Sequence, residues 1–250
     1  MIEPSWDADR LHSPHTQPDK SRRVQQMFDA IAPTYERVNT ISSAGRDAYW
    51  RREMVRLAAV RSDDVLLDVA TGTGDVARAF AGAAVRPRRI VGLDFSASML
   101  ALAASRPIVG GSFLQGDALR LPMADASATL VTCAFGIRNF QNLQAGLGEM
   151  FRVLAPGGRA VILEFGLPLR PWLRSLYMFY FRRVMPWFAT LMSRDRSGAY
   201  RYLPSSVVHF PALSEIRNAL TDVGFGLVKT YPKTCGIVTI YVAAKQALPG

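Results

Sequence analysis

The chain has 250 residues, of which 49% are hydrophobic and 20% charged, and its formal net charge is +10. This length fits one α/β domain with insertions, and the apolar content is sufficient for a single large core. The positive charge predicts an anionic partner and leaves open nucleic acid, an acidic lipid surface or a negatively charged substrate.

Several classes of protein are excluded by the residues that the sequence lacks. Its two cysteines and three histidines have no paired metal-ligand spacing, so no metal is expected. The low cysteine count is typical of a reducing cytoplasm. The most apolar stretch, residues 172–192, contains three arginines and a proline, and is too charged for a transmembrane helix.

The N-terminal segment is polar. The first twenty residues carry three prolines, scattered charges and no apolar run. This is not the composition of a secretory signal, and it predicts a disordered tail over residues 1–20. We expect residues 21–250 to form a single domain that begins with a helical cap, about residues 21–60.

Short β-rich runs alternate with helical segments from residue 65 onward. Strands are predicted over residues 65–70, 90–95, 112–116, 128–135 and 159–165, and helices over 75–83, after Ser96, and over 143–154. Strands that are apolar on both faces and alternate with helices predict a parallel sheet with both faces covered. The fold class is therefore a doubly wound α/β fold.

This alternation ends near the C-terminus. A helix predicted over residues 213–223 precedes two strands, 226–231 and 237–244. Parallel neighbours need a crossover of a dozen or more residues, and the link between these strands is shorter. The last strand is therefore expected to run antiparallel.

A glycine turn follows the first predicted strand. Gly72, Thr73 and Gly74, together with Ala77, fit the loose pattern GxGxxA. Such a turn lets a ligand approach the backbone at the N-terminus of the next helix. Taken alone, it is as compatible with a nicotinamide dinucleotide as with S-adenosylmethionine.

Acidic residues stand at the ends of three successive strands. Asp68 precedes the turn, where a carboxylate suits the cationic amino-acid part of S-adenosylmethionine better than a pyrophosphate. Asp94 ends the second strand and is placed to accept the ribose hydroxyls, and Asp117, followed by Ala118, is placed to hold the adenine amino group. Ligands of such sheets bind at these strand ends, so the three acids together favour S-adenosylmethionine. Each acid alone is as typical of a solvated loop or a helix cap.

Four segments now resemble the successive motifs of class I S-adenosylmethionine-dependent methyltransferases, namely residues 68–75, 92–96, 116–122 and 152–159. The resemblance implies a seven-stranded doubly wound sheet with an antiparallel last strand. It also implies S-adenosylmethionine as the methyl donor.

Three further segments, residues 28–39, 134–139 and 200–207, resemble signatures of the ubiquinone/menaquinone biosynthesis C-methyltransferase family. That family implies methylation of a ring carbon of a polyprenylated quinol, and we expect demethylmenaquinol. The resemblance, together with the glycine turn and the strand-end acids, gives an expected cofactor site of Asp68, Gly72, Thr73, Gly74, Asp94, Asp117, Ala118 and Ala134. Many family members have serine at the position of Ala134, whose neighbouring backbone remains available to the cofactor.

Three residues are candidates for the chemistry. Arg138 and Asn139 are expected to handle the quinol oxygen, with the arginine stabilising phenolate charge or orienting a water rather than acting as a base. The alternative for Arg138 is a surface or helix-capping charge. Tyr35 is expected to close over the cofactor or the ring, and the alternative is a core aromatic in an N-terminal helix.

Residues 170–203 combine seven arginines with aromatic side chains that include Trp172, Tyr177, Trp187 and Phe188. We interpret the region around them, about residues 168–210, as a lid insertion. It would cover a prenyl tail and present a basic face to anionic lipid headgroups, from the cytoplasmic side of a membrane. In the alternative interpretation the aromatics only pack the lid on the core while the arginines stay solvated.

Other functions stay open at this point. The same core would serve a methyltransferase that acts on another lipid or small molecule. The charge suggests an RNA methyltransferase, but no RNA-binding module is recognisable and no nucleic-acid partner is expected. A non-catalytic protein that binds the cofactor or a lipid is a further alternative, and the sequence leaves a homodimer open.

Overall fold

The computed structural model describes residues 6–43, 45–168, 170–184 and 198–247. Its centre is a seven-stranded sheet whose strands lie side by side in the order β3-β2-β1-β4-β5-β7-β6. The strands are β1 Val65–Val69, β2 Arg89–Asp94, β3 Gly111–Gln115, β4 Ala128–Ala134, β5 Leu154–Phe165, β6 Leu227–Lys233 and β7 Val238–Ala244.

The strand directions confirm the predicted fold. β1 to β5 pair in parallel, with Leu66 opposite both Ile90 and Leu130. β7 lies between β5 and β6 and is antiparallel to both. The fifth strand begins at Leu154 rather than at residue 159, because Ala128 already pairs with Leu154 ahead of an irregularity in the register.

Helices cover both faces of the sheet. They are α1 Ala8–Leu11, α2 Lys20–Ile31, α3 Tyr35–Ser42, α4 Arg46–Ala58, α5 Asp75–Ala81, α6 Ala97–Ala104, α7 Leu143–Val153, α8 Pro171–Phe179, α9 Ala199–Val208 and α10 Leu213–Asp222. Ser96 caps α6 as predicted, since its hydroxyl accepts the amide hydrogen of Met99 at 3.1 Å.

The apolar strand residues divide between two cores. Leu67 packs with α7 and α10 on one face of the sheet, whereas its neighbour Leu66 packs with α4 and α5 on the other. Successive side chains of a strand point to opposite faces, so a strand that is apolar throughout needs helices on both sides. This is the physical basis of the doubly wound arrangement.

A buried ion pair fastens the helical cap to the sheet. The Arg159 guanidinium contacts both carboxylate oxygens of Asp64, at 2.7 and 3.1 Å, and also donates to the carbonyl oxygens of Ala58 and Ala59 at the end of α4. A buried ion pair offsets the cost of losing water only when its geometry is good and its other donors are bonded. Here two hydrogen bonds join the charged groups, and backbone carbonyls accept from the remaining guanidinium donors.

Residues 6–20 differ from the expected disordered tail. Trp6 is 1% exposed and stacks on Tyr202 with ring centroids 4.3 Å apart, and Lys20 is 2% exposed. Proline and charge content alone predicts disorder here, but it does not account for the single large aromatic side chain. Burying an indole contributes enough free energy to order a segment that has few other apolar residues.

The lid insertion is described in two parts. α8 runs into a short π-helical turn, Tyr180–Val184, and α9 follows residues that lie outside the described part of the chain, among them Trp187 and Phe188. Tyr177 and Phe181 face inward and are buried. The exposed side chains of this segment include Trp172, Leu176 and Phe179.

In the described ranges, no helix is long and apolar enough to span a membrane.

Candidate active site

Two adjoining cavities open at the carboxyl ends of the parallel strands. The smaller has about 680 Å³ of open space and is lined by the ends of β2 and β4 and the loop after β3. The larger has about 1620 Å³ and extends below the helical cap and the lid. Both are bordered by Phe28, Tyr35, Ala70, Gly72, Ala134 and Phe135.

The turn after β1 forms part of this shared border. Ala70 and Gly72 have φ values of +55° and +56°, which only glycine adopts without strain. The Thr71 amide donates to the Leu93 carbonyl, and the Gly72 amide donates to Asp94 at 2.8 Å. The turn is therefore tied to the end of β2, and an added Cβ at Gly72 would point into open space.

Asp94 is the carboxylate of the smaller cavity. It is 5% exposed, and its two oxygens accept amide hydrogens from Gly72 and Ser96 at 2.8 and 2.9 Å. Burial, opposed by those amides, raises the pKa of Asp94 to about 6. At neutral pH it is a fixed anion whose remaining lone pairs can accept hydroxyl protons.

Asp117 and Ala118 line the smaller cavity as expected from the sequence. Asp117 is held in place by the Leu119 amide, which donates to its carboxylate at 2.9 Å. Leu93 and Met99 supply apolar wall on the same cavity. A carboxylate beside an apolar slot is the chemistry expected of a pocket for a purine ring.

Asp68 lies near the end of β1, just before the turn. It is 1% exposed, lines neither cavity, and accepts the hydroxyl hydrogens of Thr71 and Thr132 at 2.6 Å each. Burial raises its pKa to about 6. These contacts fix the turn, and the expected role of Asp68 toward the cofactor stays a prediction. Gly74 also lines neither cavity and instead caps α5 with a φ of +84°.

Thr73, Ala134 and Tyr35 all border the larger cavity, and the last two border the smaller one as well. Tyr35 packs edge-on against Phe28, with ring centroids 5.9 Å apart. Burial raises the pKa of Tyr35, so its hydroxyl stays protonated. The N-terminal helix therefore brings this ring to the boundary between the two cavities.

Arg138 stands on a short helical turn, Ile137–Asn139, directly after β4. It is 5% exposed, and its Nη1 donates to Glu164 at 2.7 Å and to the Phe135 carbonyl at 2.6 Å. Glu164 is fully buried and also accepts the amide hydrogens of Arg138 and Phe165. The surface or capping interpretation of Arg138 is thereby overturned: it is a buried cation on the wall of the larger cavity.

Asn139 is held by two contacts. Its Nδ2 donates to the Phe135 carbonyl at 3.2 Å, and its Oδ1 accepts the Tyr202 hydroxyl at 3.1 Å. It lines the smaller cavity, whereas Arg138 lines the larger. Phe135, whose carbonyl serves both side chains, has a left-handed backbone with a φ of +56°. Such strain persists only where neighbouring contacts determine the conformation.

Lys20 contributes to this site without any signal in the sequence. Its Nζ donates to the carbonyls of Arg138 at 2.9 Å and Phe140 at 2.5 Å. Its third contact is His15 Nδ1 at 3.1 Å. Burial and the lysine charge lower the pKa of His15 to about 4, so the ring is neutral and its Nε2 donates to Ser206. The N-terminal segment thus fixes the backbone on both sides of Asn139.

Glu164 and Tyr177 were also missed by sequence reasoning. A single carboxylate at the end of the apolar run of β5 is the one sign that could have revealed Glu164. Tyr177 belongs to a segment recognised only as aromatic. No group of acidic, histidine or cysteine side chains able to hold a metal occurs within the part of the chain that the structure describes.

The wall of the larger cavity contains a cluster of aromatic side chains. Phe135 and Phe165 pack with ring centroids 4.4 Å apart, and Trp50 contacts both rings edge-on. The Arg138 guanidinium lies over the Phe165 ring, 5.2 Å from its centroid. The cavity therefore combines an aromatic surface with a buried guanidinium that is paired with Glu164.

These features define the class of protein. The sheet order, the turn after β1 and the acids at the ends of β2 and β3 are those of a class I S-adenosylmethionine-dependent methyltransferase. Two solved structures have the same fold, both S-adenosylmethionine-dependent methyltransferases. The one from Aquifex aeolicus has a TM-score of 0.59 and 13% identity, and covers 84% of this chain and 97% of its own. The one from Mesorhizobium loti has a TM-score of 0.53 and 18% identity, and covers 76% and 95%.

The chain belongs to the ubiE/COQ5 methyltransferase family, whose model matches residues 16–245. It is 40% identical over 233 residues to the ubiquinone/menaquinone biosynthesis C-methyltransferase UbiE of Geotalea daltonii, covering 91% of this chain and 98% of that protein. It is 43% identical over 231 residues to the demethylmenaquinone methyltransferase of Deinococcus radiodurans, covering 91% and 95%. The family expected from the sequence is confirmed.

Replacing Asp94 should weaken cofactor binding. Hydrogen bonds to a charged group contribute about 1.5–3 kcal/mol, so Asp94→Asn should lower the affinity for S-adenosylmethionine by about tenfold to a hundredfold in calorimetric titration. Because the pKa of Asp94 is about 6, the wild-type affinity should fall as the pH drops through 6.

The exposed residue Asp63 offers a matched control, and Asp63→Asn should bind as the wild type does. The pKa of Asp68 is also about 6, so the pH dependence of the affinity should be measured for Asp68→Asn as well. This variant is expected to bind S-adenosylmethionine more weakly at acid pH, as the wild type does. An Asp94→Asn protein with wild-type affinity at neutral pH would contradict the assignment.

Proposed function

We propose that this protein transfers a methyl group from S-adenosylmethionine to a ring carbon of a polyprenylated quinol, and that its substrate is demethylmenaquinol. The observation that carries the proposal is the buried Arg138, set in an aromatic cavity that shares a border with the cofactor turn. The names of the two relatives support the same reaction.

The smaller cavity fits the adenosine part of the cofactor. Asp94 would accept the ribose hydroxyls, Asp117 and Ala118 would hold the adenine, and Gly72, Thr73 and the backbone near Ala134 would border the amino-acid part. When bound, S-adenosylmethionine supplies a methyl group on a sulfonium centre that is open to attack by a carbon nucleophile. The chain's contribution is to bring that nucleophile into place, and good positioning alone supplies about 7–11 kcal/mol of the barrier.

Arg138 raises the nucleophilicity of the ring. A quinol ring carbon becomes electron-rich when a neighbouring hydroxyl passes its proton to water in the open cavity, and a buried guanidinium stabilises the resulting phenolate charge. After methyl transfer the hydrogen on the methylated carbon also leaves to water, and the ring becomes aromatic again. Glu164 and the Phe135 carbonyl occupy Nη1, which fixes the plane and position of the group. An arginine held this way needs no rearrangement as the charge develops.

The aromatic wall selects a flat apolar substrate. Trp50, Phe135 and Phe165 offer faces and edges for a ring, and the lid residues Tyr177 and Phe181 extend the apolar surface toward the open side. Each buried methylene of a prenyl chain contributes about 0.8 kcal/mol, so a few isoprene units would dominate binding. Tyr35 lies where the two cavities meet and would separate the ring from water.

The exposed side of the lid suits a membrane surface. Trp172, Leu176 and Phe179 follow helical spacing along α8 and are each about 60% exposed (65%, 59% and 63%). Exposed arginines at positions 170, 174 and 183 accompany them. An apolar stripe beside basic residues is typical of helices that lie at an anionic interface. These features support our proposal that the protein contacts, from the cytoplasmic side, the membrane that holds its prenylated substrate.

The reaction is tested directly with purified protein, S-adenosylmethionine and reduced demethylmenaquinone, with products identified by mass spectrometry. We expect menaquinol as the methylated product, and slower transfer to the matching benzoquinol. In a strain that lacks the gene, demethylmenaquinone should accumulate. An unchanged quinone profile together with no transfer to either quinol would overturn the proposal.

Changing Arg138 should affect the chemistry more than the cofactor. Arg138→Ala should lower turnover by about a hundredfold to a thousandfold, as loss of one charge-stabilising donor does, with S-adenosylmethionine affinity nearly unchanged. Single-turnover kinetics and calorimetric titration separate the two.

Arg138→Ala also leaves Glu164 unpaired in the core, which destabilises folded proteins by about 3–5 kcal/mol. Arg138→Lys is the matched variant. It keeps a positive charge beside Glu164 but loses the planar guanidinium group and its several donors. We expect it to keep the thermal midpoint and still lose turnover. Wild-type single-turnover rates in both variants would remove Arg138 from the mechanism.

Membrane contact should depend on the exposed face of α8. The protein should float with vesicles of phosphatidylglycerol and phosphatidylcholine, and less with phosphatidylcholine alone. Leu176→Ser with Phe179→Ser, or Arg174→Glu with Arg183→Glu, should reduce flotation severalfold. Arg86→Glu is the control, because Arg86 is an exposed arginine in the segment between α5 and β2, outside the lid. Equal flotation of all variants would contradict membrane contact through α8 and would indicate that the arginines are only solvated.

A further inference from the structure

Lys20 joins the N-terminal segment to the turn that carries Arg138 and Asn139. It is 2% exposed, and its Nζ donates to the backbone carbonyls of Arg138 at 2.9 Å and Phe140 at 2.5 Å. These carbonyls flank Asn139, so one amino group holds the backbone on both sides of that residue. The side chain of Arg138 is held separately by Glu164.

The three partners of Lys20 define its charge. The third partner is His15, whose Nδ1 lies 3.1 Å from Nζ. The Nε2 of this ring lies 2.8 Å from the Ser206 carbonyl and must donate to it, which leaves Nδ1 of the neutral ring as an acceptor. Nζ therefore faces three acceptors, and only the ammonium form of lysine has three hydrogens to donate. The neutral amine would leave one acceptor without a donor.

The surroundings of Lys20 make this charge easy to lose. Burial and the positive charge of Arg138 lower the pKa of Lys20 to about 8, and the carboxylate of Glu164 opposes that shift. The neighbouring acid Asp19 is paired with two arginines of α2 instead. The pKa of His15 is lowered to about 4, so the ring stays neutral where Lys20 titrates. The ammonium ion is therefore present at neutral pH and lost in mildly alkaline solution.

We propose that Lys20 is a positioning residue for methyl transfer, which holds Arg138 and Asn139 in the reacting arrangement only while it is an ammonium ion. It acts through the backbone of the turn, since it lines neither cavity. The inference rests on the proposed function, in which Arg138 stabilises the charge of the substrate ring. It makes the N-terminal segment a part of the reaction machinery, because His15 in turn fastens Lys20 to α9.

The test variant is Lys20→Met, which keeps a long flexible side chain and removes all three donors. Misplacing a positioned group by about 1 Å lowers rates by about a hundredfold, so the single-turnover rate at saturating quinol should fall by about tenfold to a hundredfold. The affinity for S-adenosylmethionine in calorimetric titration should be nearly unchanged, because other amides hold Asp94 and Asp117.

Lys245 offers a matched control. Its Nζ also donates to two backbone carbonyls, those of Phe151 at 2.9 Å and Leu154 at 2.7 Å, and it lies outside both cavities. Lys245→Met should lower the thermal midpoint and keep the wild-type single-turnover rate. A loss of rate as large as that of Lys20→Met would indicate general destabilisation and would overturn the proposal.

The pH dependence gives a readout that a merely structural role would not change. The ratio of the wild-type rate to the Lys20→Met rate cancels the ionisation of the substrate, which both proteins share. This ratio should be largest near neutral pH and should shrink as the pH rises through about 8, where the wild type loses the ammonium ion. A ratio that is the same on both sides of that pH would overturn the requirement for the charge.

Lys20→Arg is the rescue variant, and it keeps the test decisive if Lys20→Met does not fold. A guanidinium stays charged in alkaline solution and still donates several hydrogen bonds. The Lys20→Arg rate should lack the alkaline loss, so the wild-type rate divided by the Lys20→Arg rate should fall through a pH of about 8. Identical pH profiles for the two proteins would count against the proposal.

The outcomes separate this inference from the proposed function. A folded Lys20→Met protein with the wild-type rate would overturn the role of Lys20 and leave the proposed function standing. A wild type that methylates neither quinol would defeat the proposed function and this inference together.

Discussion

The ion pair between Arg138 and Glu164 is the constraint on which the rest of the site depends. Both side chains are buried, one at 5% exposure and the other at 0%. A buried carboxylate and a buried guanidinium tolerate the loss of water only if they pair and if their remaining atoms find partners. The pair therefore fixes the turn after β4, and it holds the guanidinium in the wall of the cavity that we assign to the substrate.

Distant parts of the chain converge on that turn. Lys20 bonds its carbonyls from the N-terminal segment, and Tyr202 bonds Asn139 from α9. Trp6 stacks on Tyr202 and so joins the two supports. The turn after β4 is thus held both by the N-terminal segment and by α9. The turn after β1 is tied to β2 through Asp94, and α2 reaches the same strand end because Asp29 accepts the Ser96 hydroxyl.

The sequence predicted the elements whose signals are local. Apolar runs separated by helical periods gave the sheet, and the acid at the end of β2 lies on the cavity as expected. Asp68 shows what such reasoning leaves undecided. Its place before the turn resembles that of a ligand-binding acid, but the threonines at positions 71 and 132 turn it inward. A linear pattern gives the position of a carboxylate along a strand and not the partners that decide where it points.

Two kinds of information can thus be separated. The sequence by itself determined the class of fold, the antiparallel last strand and the family, because these depend on periodicity and on short motifs along the chain. Only the tertiary structure decided which polar groups are paired. It buried Arg138 against Glu164 and directed Lys20 to the carbonyls of the turn after β4. Hydrogen-bond pairing joins residues far apart in the chain, so it follows from packing and cannot be read from local pattern.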